Sequence, residues 1–174
     1  MLSSLRFSLI LLLACITAGC AHVNTPEQTV QSHPQQKITT LNEADKKRLS
    51  EERTVVEHYL GDPASKEKYK TAAGKVGTIR AILKAGVFKP NQTYELQCLG
   101  VVLGDAFVQE LKMEWIMVED EHGRDPAIRM QGTSTILYPL TMISKRIERG
   151  EKVDIFDMFN STAAQIDQMK GHGG

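Results

Sequence analysis

The side chains that could carry out acid–base or metal chemistry are concentrated in one segment of the chain, between Trp115 and Arg146. Four carboxylates lie close together there: Glu119, Asp120, Glu121 and Asp125. Clustered carboxylate oxygens are ligands that Ca²⁺ accepts, but these acids lack the alternating spacing and the distal glutamate of an EF-hand loop. The solvated end of a β-hairpin is therefore the favoured interpretation, and the sequence predicts no metal site.

Catalytic patterns are scarce in the rest of the chain. Cys98 lies in the apolar stretch LQCLG, which is typical of a small buried side chain and not of a reactive thiol. Asp105 with Glu114 or Glu119 could divide acid and base roles, yet such pairs arise by chance when 24% of the residues are charged. The motifs of serine hydrolases and phosphate-binding loops are absent. The sequence therefore predicts no catalytic residue and no cofactor, and it leaves enzymatic activity uncertain.

The amino-terminal residues have the layout of a bacterial secretion signal. Arg6 precedes an apolar run from Phe7 to about Gly19. This run is roughly 13 residues long, whereas a helix needs roughly 20 to cross a membrane. A signal peptide over residues 1–19, removed during secretion, is therefore predicted in preference to a membrane-spanning helix.

The sequence TAGC at residues 17–20 resembles the lipobox of bacterial lipoproteins, with threonine where leucine is usual. The resemblance implies cleavage before Cys20 and lipidation of its sulfur, with Cys15 as the competing site. Ala21 follows the modified cysteine, which in Gram-negative lipoproteins implies sorting to the outer membrane. We therefore expect a protein of the cell envelope, held by lipid at Cys20 and facing the periplasm.

Composition limits the kinds of partner. The chain has 21 basic and 21 acidic residues, so its formal net charge is zero, and only 6% of its residues are aromatic. It therefore lacks both the positive field and the stacking surface that nucleic acids require, and no nucleic-acid partner is expected.

Polarity and capping patterns predict the domain organisation. Residues 20–39 are polar, contain Pro26 and Pro34, and are predicted to form a flexible tether after the lipid. Thr40 and Glu43 have the spacing of a capping box, so a single globular domain is predicted over residues 40–170, followed by a frayed tail at 171–174.

Hydrophobic periodicity predicts an α+β fold with about five helices and a small antiparallel three-stranded sheet. The helices are expected at about 40–60, 63–85, 93–111 and 139–147, with the last beginning after Asp154. The strands are expected at about 115–118, 127–130 and 133–138. Gly100 and Gly104 lie one turn apart on the third helix, which predicts that a neighbouring backbone approaches it closely.

The stretch from about 99 to 159 resembles a bacterial family of domains of unknown function. The resemblance rests on LGVVLGDAF, on the W-x-V-x-D-x-x-G-R-D type of hairpin in EWIMVEDEHGRDPAIR, and on a KR-x-x-x-G-E end. It implies the same α+β fold and no assigned activity.

Taken together, the sequence favours a membrane-anchored, non-enzymatic module that binds an envelope protein or a cell-wall component. The alternative is a small envelope hydrolase that uses the hairpin carboxylates. The expected binding surface consists of Trp115, Asp120, His122, Arg124, Asp125, Lys145 and Arg146. The competing interpretation is that Trp115 belongs to the core and Arg124 only locks the turn, with Asp125 as its ion-pair partner.

Overall fold

The structure, a computed structural model, describes residues 36–121 and 123–171. The predictions for the signal peptide, Cys20, most of the tether, His122 and residues 172–174 lie outside these residues. The helices are α1 (Glu43–Glu57), α2 (Pro63–Tyr69), α3 (Ala72–Ala85), α4 (Thr93–Leu111), α5 (Pro139–Glu148) and α6 (Ile155–Gly171). The strands are β1 (Lys37–Thr40), β2 (Met113–Asp120), β3 (Gly123–Met130) and β4 (Ile136–Leu137).

The four strands form one antiparallel sheet in the order β1-β2-β3-β4. The α+β class is therefore confirmed, but the described residues hold six helices and four strands instead of about five and three. The additional helix and strand arise at two places where contacts between elements override the local pattern.

The additional strand is β1, which contains residues assigned to the tether and the residue assigned to the first helix cap. Ile38 pairs with Val118 and Thr40 with Ile116, so Thr40 ends a strand and does not cap a helix. The cap lies two residues later: Asn42 accepts a hydrogen bond from Asp45 N and donates its own N–H to Asp45, both at 2.9 Å. This is a capping box of the predicted kind, formed by different residues.

The additional helix arises because the predicted helix over 63–85 is divided into α2 and α3. Thr71 caps α3 by accepting a hydrogen bond from Gly74 N at 3.0 Å. A Cβ on Gly74 would lie 1.8 Å from the carbonyl oxygen of Lys68, so the turn between the helices requires glycine. The third predicted strand is also shorter, because residues 131–135 form a turn in which Gly132 has φ +75°.

Helix α4 has the predicted bounds and is the centre of the core. Its buried residues include Leu96, Leu99, Leu103, Phe107 and Leu111, as expected, and the ring of Phe107 stacks on Phe159 at 4.9 Å. It packs against α1, α3, α5, α6 and the sheet. Every other described element is therefore positioned directly or indirectly by α4.

Candidate functional site

Three residues of the expected binding surface line one cleft of about 360 Å³, which we call the hairpin cleft. Asp120 ends β2, Asp125 lies in β3, and Lys145 projects from α5. Asp120 and Asp125 belong to one hairpin, whereas Lys145 lies 20 positions after Asp125. All three were expected at the surface because charged residues concentrate in these two segments. The fold brings them together.

The hairpin register places the two acids on the same face of the sheet. Asp125 pairs with Val118 and Asp120 pairs with Gly123. Directly paired residues share a face, and residues two apart on one strand also share it, so Asp120 and Asp125 are diagonal neighbours.

The second wall of the cleft lies along the edge of β3. Strand β4 pairs only with Ile128 and Arg129, so the first half of β3 has no second strand beside it in the described sheet. The chain turns there into α5, and Tyr138, just before this helix, lines the cleft together with Leu140 and Thr141 of its first turn. Leu140 and Pro126 are buried and form an apolar floor beneath the charged groups.

The third wall comes from α1 and α4, and sequence reasoning missed it. Arg48 and the half-buried Gln97 line the cleft from this side. Arg48 Nε donates to Glu52 Oε1 at 2.9 Å, while Glu52 Oε2 is buried and has no hydrogen-bond partner among the described residues. The i, i+4 spacing of Arg48 and Glu52 was visible in the sequence, but it is equally typical of a solvated helix surface.

The cleft contains charges of both signs. Arg48 and Lys145 are cationic, and Asp120 and Asp125 are anionic. Burial and the two carboxylates raise the pKa of Tyr138, which keeps its hydroxyl protonated and able to donate. Such a set suits a polar ligand that presents both cationic and anionic groups.

The other expected surface residues lie elsewhere. Trp115 Nε1 donates to Asp105 at 2.9 Å, and its ring packs against the core, as the competing interpretation held. Arg146 donates to the carbonyl oxygen of Met142 at 2.7 Å on its own helix. Neither residue lines the hairpin cleft.

Arg124 forms an ion pair with a residue that the sequence did not indicate. Its Nη1 and Nη2 donate to the two carboxylate oxygens of Asp45 at 2.6 and 2.7 Å. The expected ion pair with Asp125 is wrong, because adjacent strand residues point to opposite faces of the sheet. The Arg124–Asp45 pair joins β3 to the first turn of α1.

This pair should make stability depend on pH in the acid range. The hydrogen bond from Arg124 lowers the pKa of Asp45 to about 2, below its ordinary value of 3.8. A carboxyl whose folded-state pKa is depressed stabilises the fold above its unfolded pKa, and that contribution is lost as the pH falls towards the folded value. We expect the urea-unfolding free energy to fall between about pH 5 and pH 2, and less steeply in Asp45→Asn. Parallel pH profiles for the two proteins would contradict this role.

The other catalytic candidates are occupied or buried. Cys98 is a buried thiol, as expected, and burial raises its pKa to about 11. Asp105 is bound by Arg53, and Glu114 is bound by Arg129 at 2.6 Å. Within the described ranges, no group of three or more His, Cys, Asp or Glu side chains could hold a metal ion.

Residues 75–159 match a domain of unknown function, DUF3806. This confirms, at the level of such a domain, the resemblance expected over about 99–159. The DUF3806 match starts in α3, ends in α6, and contains every lining residue of the hairpin cleft except Arg48.

Further comparisons concern the fold. No curated protein matches the chain. A crystal structure from Bacteroides thetaiotaomicron VPI-5482 is similar, with a TM-score of 0.58 and 14% sequence identity over 73% of this chain and 47% of the other. The chain thus spans about half the length of that structure, and the likeness shows the fold alone. In the part of the chain that the structure describes, no helix is long and apolar enough to cross a membrane.

Proposed function

We propose that the protein is a lipid-anchored envelope lipoprotein whose domain binds a peptide in the hairpin cleft without catalysing a reaction. The observation that carries the binding proposal is the convergence of Asp120, Asp125, Lys145 and Arg48 on one cleft. The anchoring proposal rests on the resemblance of residues 17–20 to a lipobox.

A peptide suits this cleft for chemical reasons. Peptides carry ammonium and carboxylate groups on one short chain, and the cleft offers carboxylates and cations to both. The apolar floor at Leu140 and Pro126 can accept an aliphatic side chain between the charged contacts. Envelope proteins and the peptide stems of the cell wall share this chemistry.

The anchor is tested by labelling. In cells fed an alkyne-bearing fatty acid, we expect the wild-type protein to incorporate label and Cys20→Ser to incorporate none, because only the thiol can form the thioether. Inhibition of the lipoprotein signal peptidase should make the unprocessed form accumulate. Full labelling of Cys20→Ser together with loss of label in Cys15→Ser would assign the lipid to Cys15 instead.

The cleft is tested by capture of two defined materials, purified cell-wall sacculi and the envelope membrane fraction after crosslinking. We expect Asp125→Ala and Lys145→Ala to weaken capture, because both side chains are exposed at the cleft and each would lose a charged contact to the peptide. Both variants should melt at the wild-type temperature, since exposed charges contribute little to stability.

The matched control is Lys47→Ala, an exposed lysine on α1 that does not line the cleft. It should capture as the wild type does. Retention by sacculi would identify the cell-wall stem as the source of the peptide, and crosslinking in membranes would identify a protein. Wild-type capture by both Asp125→Ala and Lys145→Ala would remove the cleft as the binding site.

A hydrolase remains the second candidate because Asp120 and Asp125 line the same cleft. A general acid requires a carboxyl group held away from water, and Asp125 is exposed while Asp120 is half-buried, which favours binding over catalysis. Soluble fragments released from sacculi by the wild type but not by Asp120→Asn would favour the hydrolase.

A further inference from the structure

A larger cavity of about 610 Å³ lies away from the hairpin cleft. It is formed by the second half of α3, the segment that follows α3, the end of α5, and the segment that leads from α5 into the first residue of α6. We call it the basic pocket. All its lining residues fall between 80 and 155, inside the DUF3806 match.

Most of the pocket wall is apolar. The wall residues Leu83, Phe88, Pro90, Ile147, Val153 and Ile155 come from four separate segments of the chain. Aliphatic and aromatic side chains are arranged here around an open volume instead of a filled core. A wall of this kind favours the apolar body of a ligand.

The charges at the pocket are unbalanced. Arg80, Lys84 and Lys152 line it and have no carboxylate partner among residues 36–121 and 123–171. The two acids at the pocket have other partners. Glu151 accepts from Arg149 at 2.6 Å, and Asp154 accepts from the backbone N–H of Phe156 at 3.0 Å at the start of α6.

Arg80 is held in position by an aromatic ring. Its guanidinium carbon lies 4.9 Å from the centre of the Phe156 ring, and Phe156 is 37% exposed. This cation–π contact holds the guanidinium over the ring, while its donor groups make no hydrogen bond to any described residue. A guanidinium held in this way can present two parallel N–H groups to a carboxylate.

We propose that the basic pocket binds a small monocarboxylate with an aliphatic or aromatic body. The carboxylate contacts Arg80, Lys84 and Lys152, and the body lies against the wall formed by Leu83, Phe88 and Val153. The volume is within the range of about 300 to 1,000 Å³ typical of small-molecule sites. This site is separate from the hairpin cleft and goes beyond the function proposed above.

The test uses the purified full chain in a nonionic detergent, with 4-phenylbutyrate as the probe and the neutral 4-phenylbutan-1-ol as its control. Binding is followed by the amide resonances of residues 80–89 and 147–156. We expect saturable binding of the acid with shifts confined to these residues, and at least about tenfold weaker binding of the alcohol. High salt should weaken binding of the acid only.

Charge-removing variants complete the test. Lys84→Gln with Lys152→Gln should weaken phenylbutyrate binding about tenfold. The matched control, Lys47→Gln with Lys66→Gln, changes two exposed lysines outside the pocket and should bind as the wild type does. Lys145→Ala should also leave phenylbutyrate binding unchanged, which separates this site from the hairpin cleft.

Several outcomes would overturn the proposal. These are equal binding of acid and alcohol, wild-type affinity in the Lys84→Gln, Lys152→Gln protein, shifts that spread outside the pocket, or no saturable binding of the acid. If the double variant failed to melt cooperatively, the comparison of acid with alcohol on the wild-type protein would still decide.

Discussion

Replacing Gly100 with alanine is expected to destabilise the domain by about 3 kcal/mol, although alanine is the better helix former. Gly100 lies in the middle of α4, where α5 crosses it. A Cβ at this position would lie 2.5 Å from Leu140 Cα and 2.6 Å from the carbonyl oxygen of Pro139. These are backbone atoms, so the clash is relieved only if α5 moves away from α4, and the packing between the two helices is then lost. Urea unfolding at neutral pH measures the effect.

Gly77 provides the control for this experiment. It lies inside α3, and a Cβ there would meet nothing within 4 Å. Gly77→Ala should therefore stabilise the domain by about 0.5 to 1 kcal/mol, through helix propensity and a less flexible unfolded chain. A Gly100→Ala protein as stable as Gly77→Ala would mean that the contact between α4 and α5 is looser than the distances indicate.

The close approach at Gly100 was foreseeable, whereas its partner was not. Two glycines one turn apart in an apolar helix predicted a neighbouring backbone, and the backbone of α5 confirms this at Gly100. At Gly104 the nearest atoms belong to the Trp115 ring instead, with Cζ2 2.5 Å from an ideal Cβ. The local pattern requires space beside the helix without identifying the group that fills it.

Helix ends were predictable where the determining contacts are local. Asp62 accepts a hydrogen bond from Ser65 N at the start of α2, and Asp154 accepts one from Phe156 N at the start of α6. Gly86 ends α3 in the left-handed conformation. Each of these helix ends depends on residues within one turn of each other. Strand β1 is the opposite case, because Lys37–Thr40 pairs with residues almost 80 positions later. The hydrophobic pattern of four residues cannot indicate a pairing partner so far along the chain, so this strand could not be predicted.

The hairpin cleft was half predictable for the same reason. The sequence placed Asp120, Asp125 and Lys145 on the expected binding surface because they are charged residues near a turn and a helix, and all three line the cleft. Arg48 and Gln97 line the opposite wall from helices whose sequence indicates only a solvated face and a core face. The Arg124–Asp45 pair spans 79 positions, so its partner emerges only from the packing of α1 on the sheet.

Asp105→Ala is the second substitution with a large expected effect, about 3 kcal/mol of destabilisation. Asp105 accepts two hydrogen bonds from Arg53, at 2.6 and 2.7 Å, and a third from Trp115 Nε1 at 2.9 Å. The two bonds from Arg53 to Asp105 raise the pKa of Arg53. Arg53 also stays charged when the carboxylate is removed, because a guanidinium is protonated at neutral pH without a partner. The variant would leave a half-buried guanidinium and an indole N–H without their partner, and thermal and urea unfolding would report the loss.

The position of the Asp105 carboxylate explains why its removal should lower stability and leave binding in the hairpin cleft unaffected. Asp105 is on α4, Arg53 on α1 and Trp115 on β2, so one side chain joins three elements around the core. Asp105→Asn keeps an acceptor for Trp115 and should cost less than Asp105→Ala. Adding Arg53→Met to Asp105→Asn should recover part of the loss, because it removes the unpaired charge. If the loss of unfolding free energy in the double variant instead equalled the sum of the losses in Arg53→Met and Asp105→Asn, the two side chains would be energetically independent. The hydrogen bonds between α1 and α4 would then contribute nothing to stability.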